Sequence, residues 1–288
     1  MRKTFKRQNC HPRMDSFRKR EKKGTCYPDH VVKTLKMRYN NNKNQLSKIT
    51  STTVPAIVGE LRDKIEDCDD EICWLDSLEV ADRQHYKKSF FAPNQPIAWK
   101  EKNTEWLTNF DILQVMQQYE EKDEAFVFLG PSYIDFDTRV QNKCVDADIC
   151  TFSLTKYEKH KTKFGFVFNL DEHTESGSHW VALFIDVRDK FIYYFDSTGR
   201  KIPSQIHALV QRIVAEGRKS SLTFSVHDNY RKRHQYLFTE CGMFCLYFLI
   251  TMLDPLLPKK KKIALFKKTR ISDQFAESLR NVYFNKRP

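Results

Sequence analysis

Apolar residues along this chain change their period in a way that divides it. Val54, Ile57, Val58, Leu61 and Ile65 recur at i, i+3, i+4, i+7 and i+11. That spacing is one face of an amphipathic helix, with Thr53 at the position of its N-cap. Val31, Val32, Leu35 and Tyr39 share a helical face in the same way. From Phe164 the period falls to two. Phe164, Phe166, Phe168 and Leu170 alternate, which predicts a strand. Segments 179–187 and 190–197 are almost continuously apolar and are joined by a short polar turn. They predict two strands, buried on both faces, in an antiparallel hairpin. Ile206, Leu209, Val210, Ile213 and Val214 return to the helical period and mark a crossover helix, and 222–227 reads as a further strand. Residues 242–253 are apolar on every side, without proline or charge, and predict a buried helix. Ser272 caps a last helix carrying Phe275, Leu279, Val282 and Tyr283. With a helix over 109–121, the fold class is α+β: a mixed central sheet flanked by helices, preceded by a helical N-terminal region.

The same pattern sets the expected domains. Residues 1–25 have almost no apolar periodicity and read as a basic, disordered leader. Residues 26–99 form a small helical region containing a polar linker at 40–48. The cluster 90–95, with Pro93 and Pro96, marks its end. Residues 100–288 are the main domain.

The buried helix opens at Cys241, and this adds chemistry to the fold. A cysteine attacks a carbonyl as the thiolate, which a helix N-terminus favours through its unpaired N–H groups and dipole. Gly242 leaves room for a substrate backbone to approach. His179 stands near the start of one hairpin strand and Asp196, 17 residues later (196 − 179), near the end of the next. An antiparallel hairpin brings the two side by side, as a base and the carboxylate that orients it. Gln235 lies six residues before Cys241 (241 − 235). Its side-chain amide can donate to a developing oxyanion beside the Cys241 backbone N–H. Taken singly, each has a structural explanation: a core cysteine like Cys245, a satisfied histidine, a solvated loop glutamine.

Taken jointly, the order His, Asp, Gln, Cys, with His179-Trp180, Phe195-Asp196-Ser197 and Gln235 six before Cys241-Gly242, resembles the CE clan of cysteine proteases. That clan includes the SUMO proteases and adenain. The resemblance implies that His179, Asp196 and Cys241 are a catalytic triad and Gln235 the oxyanion residue. It also implies a SUMO-protease/adenain-like cysteine protease fold over 100–288. Trp106-Leu-Thr-Asn-Phe-Asp-Ile112 is similar to the motif that opens these domains, with Asn109 where many SUMO proteases carry Asp. The likeness extends to the polyprotein-processing proteases of African swine fever virus and related large DNA viruses, through 107–110, 179–182, 194–199, 239–242 and 270–273. The swine fever enzyme carries Asn where this chain has Asp196. The family further implies cleavage after Gly-Gly, with Trp106 and Trp180 forming a slot that admits backbone but no Cβ. Trp106, Asn109, Trp180 and Gly242 are therefore the expected substrate-binding residues.

Charge is unevenly distributed. Residues 1–50 hold 15 Lys/Arg and 3 Asp/Glu, so their net of +12 equals that of the whole chain. This segment suits either an arm that binds DNA or a solubilising tail. Lys259–Lys262, with Lys267 and Lys268, makes a second basic run. The N-terminus lacks the apolar stretch of a signal peptide. The longest apolar run, 243–253, is too short for a membrane span of about 20 residues. The eight cysteines are expected as reduced thiols. Cys68/Cys73 and Cys144/Cys150 lack zinc-finger spacing, so no metal and no organic cofactor are expected.

The function these features predict is a viral cysteine endopeptidase. It would cleave structural polyproteins after Gly-Gly during maturation, in the virion and the host cytoplasm. The alternatives are a deSUMOylase or deubiquitinase acting on host conjugates, and a nucleic-acid-binding virion protein with a vestigial protease fold.

Overall fold

The structure, a computed structural model, describes residues 5–15, 24–41, 43–102 and 105–286. It divides into two compact units: residues 1–95 with 281–288, and residues 96–280. The division falls four residues before the expected start of the main domain, and it assigns the C-terminal segment to the first unit.

The first unit is helical. Its helices are α1 (Pro12–Asp15), α2 (Asp29–Asn41), α3 (Val54–Lys64), α4 (Glu71–Ser77) and α5 (Arg83–Phe90). The two periodic stretches behave as their spacing predicts. Val31, Val32, Leu35 and Tyr39 of α2, and Val54, Ile57, Val58 and Leu61 of α3, are buried in one cluster with Tyr27 and Trp74. Thr53 does stand at the N-cap of α3, but its side chain makes no capping bond. The disordered leader does not describe residues 5–15. Gln8, Cys10 and His11 are buried there, and Cys10 pairs with Phe91 in an isolated β-bridge. The rest of that expectation, at 1–4 and 16–23, lies outside the described residues.

Six of the eight cysteines are also not reduced thiols. Cys10–Cys26, Cys68–Cys73 and Cys144–Cys150 are disulfides, leaving Cys241 and Cys245 free. The reason is tertiary. The fold brings the paired Cα atoms to 5.3, 5.5 and 6.3 Å, within bridging range.

The second unit is built on a five-stranded sheet. Helix α6 (Asn109–Lys122) leads into β1 (Phe126–Tyr133). The short strands β2 (Arg139–Val140) and β3 (Lys143–Cys144) pair with each other, and α7 (Ala147–Cys150) follows. Then come β4 (Lys163–Asn169), β5 (Trp180–Asp186), β6 (Phe191–Phe195), α8 (Ser204–Lys219) and β7 (Ser225–Asp228). The chain continues through α9 (Cys241–Leu253), α10 (Lys259–Lys268), α11 (Asp273–Ser278) and α12 (Arg280–Tyr283). The sheet order is β1-β4-β5-β6-β7, with both outer pairs parallel and both inner pairs antiparallel.

Strand alternation decides which helix covers which face. Phe164, Phe166, Phe168, Leu183, Ile185, Ile192 and Tyr194 share a buried cluster with Ile206, Leu209, Val210 and Ile213 of α8. The other face meets α9. Phe195 stacks on Phe248 at 4.8 Å, and a Cβ at Gly165 would lie 3.3 Å from Leu249. Helix α9 is buried almost all round, as an uninterrupted apolar run requires. The expected last helix is two short ones, interrupted at Leu279, and Ser272 accepts from the Phe275 N–H as its cap. No helix among the described residues is long and apolar enough to cross a membrane.

Candidate active site

The hairpin and the apolar helix converge on one place. Strand β5 begins at Trp180 and β6 ends at Phe195, and Ala182 pairs with Phe195 across them. His179 and Asp196, each one residue beyond its strand, therefore lie at the same end of the hairpin. His179 Nε2 is 2.7 Å from Asp196 Oδ1, and its ring also hydrogen-bonds Cys241. With Nε2 committed to the carboxylate, Nδ1 is the nitrogen left for the thiol.

Burial works against charge on His179, but the bonds to Asp196 and Cys241 outweigh it and lift its pKa to about 9. Burial likewise pushes the Asp196 carboxyl up. Its bonds from His179 and Thr198 more than offset this and hold it below its ordinary value. Asp196 Oδ1 also accepts from the Thr198 N–H and hydroxyl, both at 2.8 Å. Asn229, at the end of β7, grips the Asp196 backbone from both sides. Its Oδ1 accepts the Asp196 N–H at 3.0 Å and its Nδ2 donates to the Asp196 carbonyl at 2.6 Å.

Cys241 is the first residue of α9, so the helix amides begin at the candidate nucleophile. The residue before it, Glu240, does not cap the helix with its side chain. Its carboxylate turns instead to Arg280, whose Nε donates at 2.9 and 3.1 Å and whose Nη2 donates at 2.8 Å. Both side chains are buried. Arg280 Nη1 also donates to the Glu105 carbonyl at 2.9 Å, one residue before Trp106. One guanidinium therefore ties the segment that leads into Cys241 to the segment that carries Trp106. Such an ion pair is compatible with the interior because both charges are paired and hydrogen-bonded.

Gln235 is buried, beside His234. His234 accepts from the Ile271 N–H at Nδ1 and so donates from Nε2 to the Phe266 carbonyl at 3.0 Å. Burial keeps that ring neutral, with a pKa pushed down to about 4. The loop carrying Gln235 is thereby held at a fixed place. The next residues are pinned too: the Tyr236 and Leu237 N–H groups both donate to the Asp273 carboxylate, at 2.9 and 3.0 Å.

A cleft of about 320 Å³ runs between the α6 entry and the loop before His179. Trp106, Asn109, Trp180, Ser132, Asn169 and Gly177 are among its lining residues. Three of the four expected substrate-binding residues thus share one cavity. Trp180 is nearly buried and donates from Nε1 to the Leu107 carbonyl at 3.0 Å, while Trp106 is 37% exposed. Gly242 is the exception. It does not line the cleft, and a Cβ there would meet the Leu107 side chain at 3.0–3.4 Å. The space the glycine leaves is filled by Leu107 packing against the helix start, not held open for a substrate.

Residues 166–285 match the Ulp1 protease family, C-terminal catalytic domain. The match encloses His179, Asp196, Gln235 and Cys241. Over this segment the chain is similar to a Ulp1-family catalytic domain. Its type is that of a cysteine peptidase, which agrees with a free cysteine bonded to a charged histidine. A thiol protease of Acanthamoeba polyphaga mimivirus is 28% identical over 191 residues, covering 65% of this chain and 59% of that protein. A SUMO-1 cysteine protease of African swine fever virus (isolate Pig/Kenya/KEN-50/1950) is 31% identical over 183 residues, covering 60% of this chain and 65% of the other. The aligned part is thus under two-thirds of either relative's length. The crystal structure of the African swine fever virus protease shares the fold, with a TM-score of 0.66 at 22% identity over 99% of this chain and 98% of that one. The Ulp1-family match begins after Trp106 and Asn109, so their part in the cleft rests on the geometry above.

Thr198, Asn229 and the Glu240–Arg280 pair had no signal in the sequence reading. Each acts through a hydrogen bond whose partner is set by the fold. Arg280, 40 residues from Glu240, carries no pattern that would link the two.

Proposed function

We propose that the protein is a cysteine endopeptidase that cleaves viral structural polyproteins after Gly-Gly, in the infected cell and the maturing virion. The observation that carries this reading is Cys241 at a helix start, bonded to a His179 that Asp196 keeps charged. Cys241 attacks the scissile carbonyl. The charged His179 delivers its proton to the leaving amine, and water then releases the acyl group from Cys241. Gln235 and the Cys241 backbone N–H hold the oxyanion. Incubating the protein with candidate capsid polyproteins and sequencing the new N-termini tests the reading. New termini that do not follow Gly-Gly would reject it.

The lining of the cleft supports the proposed glycine preference. Trp106 and Trp180 both line it, and two indoles leave a slot suited to backbone without a Cβ. A Gly-Gly peptide should be cut and its Ala-Ala version cut at least 10-fold more slowly, with Trp106→Ala narrowing the difference. Equal rates for both peptides in the unaltered enzyme would remove the slot.

One relative bears the name SUMO-1 cysteine protease, which favours a second reading: removal of a ubiquitin-like modifier. Modifier–protein conjugates offered beside the polyprotein separate the two by which is turned over faster.

Residues 1–50 carry a net charge of +12, which supports contact with DNA. If so, binding of a DNA duplex should weaken steeply between 50 and 200 mM salt, because each phosphate contact releases counterion. Binding that does not change with salt, or none at low salt, leaves the segment as a solubilising tail.

A further inference from the structure

Gln235 has an ambiguity that any oxyanion-donating amide must resolve. Its carbonyl oxygen and its NH₂ are nearly the same size, and a half-turn about the last side-chain bond exchanges them. In one orientation the amide offers an N–H to the oxyanion. In the other it offers a lone pair, which repels it. The catalytic value of the residue depends on which orientation is populated.

Two neighbours decide this. On one side lies the Leu237 carbonyl, 2.6 Å from Gln235 Nε2. A carbonyl oxygen can only accept, so this side of the amide must be the NH₂. On the other side lies the Ser197 hydroxyl, 2.6 Å from Gln235 Oε1. With the NH₂ assigned, Ser197 donates to the amide oxygen. One N–H of Gln235 is used by Leu237, and the second is the one that the oxyanion reading requires. Ser197 is itself immobile. It is fully buried, and its backbone carbonyl accepts the N–H groups of both His234 and Gln235, at 2.8 and 2.9 Å.

We propose that Ser197 is a positioning residue that locks the Gln235 amide with its N–H toward the oxyanion. This rests on the reading of Gln235 as the oxyanion donor. The residue next to it in the chain, Asp196, sets the orientation of His179. The two consecutive residues after β6 therefore orient the two groups that act on opposite ends of the scissile carbonyl's chemistry. Asp196 controls where the proton goes, and Ser197 controls what meets the negative oxygen. A shift of this short segment would disturb both at once, which accounts for the bonds that Asn229 makes to the Asp196 backbone.

Without the hydroxyl, Gln235 Oε1 loses its buried donor, and the flipped orientation becomes accessible. Flipping still costs the Leu237 bond, so the donor is weakened and not deleted. Losing a whole oxyanion donor costs about 10²–10³ in turnover. Ser197→Ala should lower kcat by about 10-fold and leave KM within about 2-fold, because the contact is made in the transition state.

The test is a double-mutant cycle on full-length protein with a fluorogenic Gly-Gly peptide, comparing Ser197→Ala, Gln235→Ala and the double variant, with thermal unfolding of each. If Ser197 acts through Gln235, its replacement has little further effect on kcat once Gln235 is alanine. An equal loss of kcat in both backgrounds overturns the proposal, because the serine would then be serving the site by another route. A Ser197→Ala enzyme of unchanged kcat overturns it too. The underlying reading fails separately, in a Gln235→Ala enzyme with a normal kcat. Should Ser197→Ala lose its folded transition, Ser197→Thr replaces it. The threonine retains the hydroxyl and should keep kcat within a few-fold of wild type in a folded protein, and a 10-fold loss there counts against the proposal.

Discussion

Cys241→Ala should abolish peptide hydrolysis, and Cys245→Ala should leave the rate within a few-fold of the starting enzyme. The two thiols are four residues apart on one helix and are both buried, so the comparison controls for environment. Cys245 lies inside the helix, and burial pushes its thiol well above the ordinary value. Burial, with Cys241 and the Asp196 carboxylate nearby, keeps it an inert core thiol. Cys241 begins the helix and is hydrogen-bonded to His179. Only there does a sulfur at the helix start face an imidazole. Hydrolysis of a fluorogenic Gly-Gly peptide gives the rates. Mass spectrometry after iodoacetamide treatment should find the adduct on Cys241 and not on Cys245. An undiminished rate in Cys241→Ala would end the assignment.

Removing the carboxylate should produce the next largest change, and it should be visible in pH as well as rate. With its pKa at about 9, His179 is charged in the folded protein across the neutral range. In the unfolded chain it titrates near the ordinary value of about 6.5. The stability that its charged form contributes is therefore fully present below about pH 6.5 and is lost as pH rises through about 9. The same proton is the one delivered to the leaving amine, so kcat/KM should fall on an alkaline limb near pH 9. Asp196→Ala removes the partner that orients and charges the ring. It should cost on the order of 10²–10⁴ in turnover, the scale of losing such a group from a triad. Asp196→Asn retains a hydrogen-bonding side chain but removes the charge. It should cost less and should move the alkaline limb to lower pH. The pH profiles of kcat/KM for the three proteins decide this. Superimposable profiles would mean that Asp196 does not set the state of His179.

How much of this could be read in the sequence follows from the range of the interactions. The β5–β6 hairpin, α8 and α9 were legible because each writes its burial into a local period or an unbroken apolar run. Segment 191–195 is buried at every position, and so is nearly all of α9. His179, Asp196, Gln235 and Cys241 were legible for a related reason: two flank the hairpin, and the others sit just before and at the start of the apolar helix. Their order and spacing along the chain, through the resemblance to the CE clan, proposed them as a set.

Other elements were hidden because their local signal points the wrong way. Strand β1 contains Gly130 and Pro131, which interrupt a strand pattern, yet its parallel pairing with β4 holds it in the sheet through a shift of register at that point. Helix α10 opens with four lysines and reads as solvated charge, yet Lys262 is buried and donates to the Met252 carbonyl at 2.5 Å. The disulfides escaped because bonding depends on where the Cα atoms end up. What Gly242 is for escaped because Leu107, 135 residues away (242 − 107), fills the space beside it. Sequence alone thus proposed which side chains would carry the chemistry and determined most of the elements that present them. The tertiary structure decided what holds those side chains in their working orientation. Ser197 on Gln235, Asn229 on Asp196 and Arg280 on Glu240 are each hydrogen bonds between residues more than 30 positions apart. Nothing short of the folded chain brings such donors and acceptors within reach.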